Sequence, residues 1–165
     1  MSTTLGKNSG ERKQWKAKRE AIRDPDRKAA RIAGRQWGAI TRQQAINAGL
    51  TQTQISYRVQ TGQWRQSVRS VYVIAGVPNS WEQQVMVACL AGPPKTVASH
   101  LTAAALFGLA KAPTEPQVTV PFRASGRFKE ADIYRGSLEP GERCVRRRIP
   151  CTAPTRTVVD APLPG

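Results

Sequence analysis

The stretch Thr41-Arg-Gln-Gln-Ala-Ile-Asn-Ala-Gly-Leu-Thr51-Gln-Thr-Gln-Ile-Ser-Tyr-Arg-Val-Gln-Thr-Gly62-Gln-Trp-Arg-Gln-Ser-Val-Arg-Ser-Val71-Tyr-Val-Ile-Ala-Gly76 decides the fold. Thr41 and Gln44 make a T-x-x-Q capping box, in which each side chain accepts a hydrogen bond from a backbone N–H at the helix start. Ala45, Ile46 and Ala48 follow, and Gly49 supplies the stop. Thr51 and Gln54 repeat the box and open a second helix, predicted to run to about Thr61, with Gly62 ending it. Two short helices around a tight turn form a helix-turn-helix pattern. Trp64, Val68, Val71, Tyr72, Val73 and Ile74 are strand formers, with Ser67 to Ser70 predicted as the turn between them. A hairpin placed there is what a wing looks like. The expected fold class is therefore α+β, an N-terminal winged helix-turn-helix over residues 36–77 followed by a small α/β region over residues 78–165.

Upstream, residues 1–35 hold 11 Lys and Arg against 4 Asp and Glu, a net +7, with few large apolar residues (Trp15, Ile22, Ile32). They read as a basic arm, partly helical or disordered, that Asp24-Pro25-Asp26 interrupts like a helix boundary. An arm of this kind is either a solvated extension or a non-specific grip on phosphates. Downstream, Ser80 and Gln83 repeat the capping pattern before Val85, Met86, Cys89 and Leu90, and Gly92-Pro93-Pro94 ends that helix. A short strand over Thr96 to Ala98 leads to Ser99, read as an N-cap, and to an Ala/Leu-rich helix reaching about Leu109. Gln117 to Pro121 and Ile133-Tyr134 read as strands, and Pro154 as a helix start. The closing Pro162-Leu163-Pro164-Gly165 cannot extend a helix.

Lys and Arg total 26 against 11 Asp and Glu, so the formal charge is +15. An excess of this size concerns partners, not fold, and points to polyanions. The longest apolar stretches, Val85 to Ala91 and Thr102 to Ala110, are too short to span a bilayer. Met1 to Gly10 contain no apolar h-region, so no secretory signal is expected. Three cysteines without a C-x-x-C pair argue against a disulfide framework and a zinc site, and a reducing cytoplasm is the expected location.

With Ile55 and Val59 on the core side of the second helix, Thr53, Tyr57 and Gln60 point away, flanked by Gln54 and Ser56, with Arg58 on the shoulder. That face is polar with little charge, as base edges require: Gln pairs with adenine, and Thr or Tyr meets a thymine methyl. Thr53, Gln54 and Tyr57 are the expected base readers of double-stranded DNA. Arg58, Arg65 and Arg69 are the expected backbone contacts.

The run Gly38 to Thr51, then Gln54-Ile55, Gly62-Gln-Trp-Arg65 and Val71-Tyr-Val-Ile-Ala-Gly76, resembles the N-terminal winged-helix domain of AbiEi-type antitoxins. Ala98-Ser-His100, Ala103 to Leu109, Gln117-Val-Thr-Val120 and Thr152-Ala-Pro-Thr-Arg-Thr-Val-Val-Asp160 are similar to actinobacterial proteins that carry this domain. The resemblance covers roughly residues 36–160. It implies an antitoxin of a type IV toxin–antitoxin system whose winged helix binds operator DNA and represses its operon. It also implies an α/β region acting against a nucleotidyltransferase-like toxin without a stable complex. Many such relatives continue into a nuclease-like domain resembling very-short-patch repair endonucleases, which would begin where this chain ends.

The rival readings are the DNA-binding remnant of a truncated endonuclease and an RNA-binding protein. The D…E-x-K pattern of a metal-dependent nuclease is absent, and Glu130 and Asp132 read as a solvated pair. His100 reads as a packing residue, Cys89 as core, and Cys144 with Cys151 as an incomplete zinc set. Gly92-Pro-Pro-Lys95 lacks the phosphate-loop pattern. Arg143 and Arg146-Arg147-Arg148 form a second basic cluster, read either as a charged strand or loop edge or as an extension of the DNA track. No enzyme activity, no cofactor and no metal are expected.

Overall fold

The computed structural model describes residues 8–124 and 129–161. The opening residues of the expected arm and the closing Pro162 to Gly165 run lie outside the described residues. The chain is a mixed α/β protein with two sheets, consistent with the α+β class.

Helix α1 spans Asn8–Arg35 and runs through Pro25, where the sequence predicts a boundary. A mid-helix proline loses a hydrogen bond and crowds the preceding turn. Tertiary contacts outweigh that here. The Pro25 ring lies against the turn at Gly49, and the next residue, Asp26, is ion-paired with Arg58. One turn on, Ala29 and Ala33 are fully buried and Ile32 packs beside them. The C-terminal third of the expected arm thus belongs to the same packed unit as the segment after it.

Strand β1 (Ala39–Thr41), helix α2 (Arg42–Asn47), helix α3 (Gln52–Gln60) and the hairpin β2 (Trp64–Val68) and β3 (Val71–Ile74) follow. Both capping boxes form. The Thr41 and Thr51 side chains accept from the N–H of Gln44 and Gln54, whose side chains accept from the two threonine N–H groups in return. Gly49, at φ +106°, makes the turn between the helices, a conformation only glycine adopts freely. The hairpin turn is tighter than the predicted Ser67 to Ser70. Val68 already pairs with Val71, a bulge absorbs Ser67, and only Arg69 and Ser70 form the tip.

The first sheet has the order β1-β3-β2; β1 and β3 are largely buried on both faces, while Arg65 and Gln66 of β2 are exposed. Ile40 and Tyr72, paired in register, face α1, α2 and α3 with Leu50, Ile55 and Trp64. Ala39, Val71 and Val73 face the other way, into a core they share with helix α4 (Trp81–Ala91). Strands β4 (Val97–Ala98), β5 (Gln117–Pro121), β6 (Asp132–Gly136), β7 (Arg143–Arg146) and β8 (Ile149–Thr152) form a second sheet ordered β6-β5-β4-β8-β7. Ala98, Val118 and Cys151 are cross-strand neighbours within the core of α4. Helix α4 is thus wedged between the two sheets. Helices α5 (His100–Phe107) and α6 (Pro154–Asp160) complete the second unit, where the Thr152 and Thr157 hydroxyls meet at 2.8 Å.

The β7–β8 hairpin reaches back to the first unit. Its turn residues Arg147 and Arg148 both have positive φ. The Arg148 guanidinium donates to Gly34 O at 2.8 Å and stands 4.9 Å from the centre of the Trp37 ring. Trp37 Nε1 donates to Arg147 O at 2.9 Å, and Arg147 pairs with Glu82 at 2.9 Å. Gln83, fully buried on α4, donates from Nε2 to Trp37 O at 2.8 Å. Its second capping bond is absent for that reason: Ser80 caps the Gln83 N–H, but the Gln83 side chain points at Trp37.

Replacing Gln83 with Leu should leave the Trp37 carbonyl without its partner. A cost of about 1–3 kcal/mol is expected in urea unfolding. A stability equal to that of the parent would show that water takes over the carbonyl.

Candidate nucleic-acid interface

Helix α3 buries Ile55 and half-buries Val59, and turns Thr53, Tyr57 and Gln60 to solvent. Tyr57 is 59% exposed, unusual for so large a side chain. Arg42 on α2 donates from Nε to Gln52 Oε1 at 2.7 Å, which fixes the start of α3 against the preceding helix. Gln54 is exposed, but its Oε1 accepts from Thr51 N at 2.9 Å. Its amide is therefore half committed to the cap.

Arg58 stands elsewhere than the backbone-contact reading needs. Its Nη1 donates to Gln54 O at 2.7 Å and its Nη2 pairs with Asp26. The side chain is only 13% exposed, with its guanidinium 6.0 Å from the centre of the Trp64 ring. It fastens α3 to α1. Arg65 on β2 and Arg69 at the hairpin tip are exposed and make no hydrogen bond or ion pair among the described residues. The structure thus groups Thr53, Gln54 and Tyr57 on one exposed helix face with a free-ended hairpin next in the chain, and takes Arg58 out of the exposed set.

A further signal sits in the composition. Between Asp26 and Glu82 the chain has no Asp or Glu at all. The α2–α3–hairpin surface therefore carries cations and neutral donors with no carboxylate to repel a phosphate. Asp26, the last acid before that span, is occupied by Arg58.

The second basic cluster is committed internally. Arg147 and Arg148 grip Glu82, Gly34 and Trp37, Arg143 donates to Lys95 O at 2.8 Å, and Arg146 lies over Phe107. These contacts hold the cluster against the fold, while Arg146, Arg147 and Arg148 remain exposed. Asp160 is likewise occupied: Arg156 holds it through Nε at 2.8 Å and reaches Glu142 at 3.2 Å.

His100 opens α5 with φ +51°. Its Nδ1 lies 2.9 Å from the Ser99 hydroxyl, and its ring stacks on Tyr134 with centroids 3.6 Å apart. Ser99 occupies the N-cap position, but its hydroxyl goes to the imidazole instead of capping the helix. Ser99 is fully buried. Cys144 and Cys151 face each other across β7 and β8 with sulfurs 3.5 Å apart. Burial pushes the Cys89 and Cys151 thiols up to about 12, so both stay protonated. Among the described residues no cluster of three His, Cys, Asp or Glu could hold a metal ion, and no helix is long and apolar enough to cross a membrane.

No known family model matches the chain, and no curated protein matches it.

Two outcomes follow from this geometry. Arg58→Met and Asp26→Asn should each destabilise the protein. Their double-mutant cycle should show a coupling of about 1 kcal/mol, because Asp26 is half exposed and water screens the pair. Strict additivity in urea unfolding would remove the ion pair from the fold's support. Burial also lowers the His100 pKa below its usual 6.5, with Asp160 opposing and Arg156 adding to the shift. The unfolded chain then binds the proton more readily, so His100 favours folding above that value and loses its contribution as pH falls through the lower folded pKa. His100→Gln should flatten the fall in urea midpoint over that acidic window; an unaltered slope would refute the assignment.

Proposed function

We propose that residues 26–76 form a winged helix-turn-helix that reads duplex DNA and represses transcription of its own operon. In this reading α3 enters the major groove, with Thr53, Tyr57 and the free N–H groups of Gln54 meeting base edges. Arg65 and Arg69 on the hairpin hold the phosphate backbone. The observation that carries the reading is the exposed polar face of α3, with Tyr57 at its centre, within residues 27–81, which contain no carboxylate. Resemblance to AbiEi-type antitoxins supplies the biological setting: a cytoplasmic antitoxin with no enzymatic activity, opposing a nucleotidyltransferase-like toxin without a lasting complex.

The deciding experiment is a titration of the chain on its own upstream DNA, on scrambled duplex and on structured RNA, at two salt concentrations. Tighter binding to the upstream duplex that persists at the higher salt supports the repressor. Equal binding to all three, lost together on adding salt, leaves only a polyanion grip and overturns it. Preference for the RNA transfers the site to the other nucleic acid.

Tyr57→Ala should cut the preference for upstream over scrambled duplex by about 1–3 kcal/mol while leaving the fold intact. An equal loss on both duplexes would remove Tyr57 from base reading. Tyr57 is a cleaner probe than Gln54, whose loss also opens the helix cap. Arg69→Ala should weaken binding to every sequence and flatten the salt slope by about one unit. An unchanged slope would detach the hairpin tip from the phosphates.

A further inference from the structure

The cations of the described residues include two contrasting sets. Arg58, Arg143, Arg147, Arg148 and Arg156 are held by carboxylates, carbonyls or rings within the protein. Lys13, Lys16, Arg27 and Arg31 on α1 are exposed and make no hydrogen bond or ion pair among the described residues, although Arg27 and Arg31 stand close enough to Asp24 to help lower its pKa. At about 100° per residue these four fall within roughly 60° of one another, on the side opposite Ala29 and Ala33. They make one ridge along the outside of the helix.

Carboxylates hardly dilute this ridge. Glu11 falls on the line of Ala29, away from it, and Asp24 is paired with Lys28 at 2.7 Å. The 28-residue helix is about 40 Å long, more than one turn of a DNA duplex (roughly 34 Å). The pair Lys13 and Lys16 stands about 20 Å along the axis from the pair Arg27 and Arg31. That separation lets the two pairs reach both backbones beside a groove about 12 Å wide.

We propose that this outward ridge of α1 is a second nucleic-acid-binding surface, gripping the phosphates of a duplex without reading its sequence. The partner is duplex because the ridge itself has no aromatic platform on which unpaired bases could stack. The exposed Trp15 lies on the line of Ala33, away from the four cations. The ridge points away from the α1 core and acts whatever α3 binds.

The test is the full chain carrying K13Q, K16Q, R27Q and R31Q together. Gln keeps the helix propensity, which circular dichroism checks. The readout is the salt dependence of binding to scrambled duplex. The slope should fall by roughly 3 to 4 units, about 0.9 for each phosphate no longer neutralised. The variant with Arg27 and Arg31 changed to Lys should keep the slope. K13Q with K16Q alone, outside the packed part of α1, should show about half the effect, so the proposal stays testable if the fourfold variant is unstable. An unchanged slope overturns the proposal. So does loss of sedimentation with anionic vesicles at unchanged duplex binding, which would assign the ridge to a membrane surface. If the parent chain shows no preference for its upstream DNA, the repressor reading fails while the ridge still registers on scrambled duplex.

Discussion

Trp37 is the point on which the two halves of the structure depend. Its backbone takes a left-handed turn at φ +57° between α1 and β1, next to Gly38 at +85°. A side chain at Gly38 would strike Val77 at 2.8 Å, so the chain can enter β1 only through glycine. Around that turn every polar group of Trp37 that faces the second unit finds a partner there. The carbonyl takes the Gln83 amide from α4, the ring N–H goes to Arg147 O, and the ring face takes Arg148. Left-handed backbone at a tryptophan, and again at two consecutive arginines in the β7–β8 turn, is unfavourable in isolation. These three residues hold one another, so the strain is offset by the contacts that the strained conformations make possible.

Through that knot the helix–hairpin unit and the second sheet become one body. Helix α4 reinforces the link because most of its surface is covered: Val85, Met86, Val87, Ala88 and Cys89 are all buried. Its residues pack against Val71 and Val73 of the first sheet and against Val118 and Cys151 of the second. Apolar burial of this kind contributes about 25 cal/mol per Å² and has no direction. The knot at Trp37 supplies the direction, fixing which edge of the second sheet meets the first unit.

What can be read from the chain divides by sequence separation. Both capping boxes and the order of α2, α3, β2 and β3 are legible, because each rests on residues three or four apart. The exposed setting of Thr53 and Tyr57 follows from the helical period alone. Arg58 escapes such a reading because its partner Asp26 lies 32 positions upstream, in a segment that reads as a solvated arm. Pro25 resembles a boundary for the same reason: the contacts that hold the helix through it come from Gly49 and Arg58. The β7–β8 hairpin is hidden by its turn, since a two-residue turn with positive φ calls for Asn-Gly or Gly-Gly, not Arg-Arg. Ser99 reads as a cap from its position, and only the fold shows its hydroxyl drawn to His100.

The distribution of arginine follows from these separations. A guanidinium close to a carboxylate or carbonyl within a folded body becomes part of the scaffold and is held in one place. Arg58, Arg147, Arg148 and Arg156 meet that fate because the fold brings Asp26, Glu82, Gly34, Asp160 and Glu142 to them. The net charge of +15 already subtracts those carboxylates, so the pairing decides where the positive surplus sits, not how large it is. Cations with no hydrogen bond or ion pair among the described residues include those of the α1 ridge and Arg65 and Arg69 on the hairpin, the latter two in a stretch without acids. Because Asp26 and Arg58 fix the C-terminal part of α1 to α3, the Arg27 and Arg31 end of the ridge belongs to the same packed unit as the exposed face of α3.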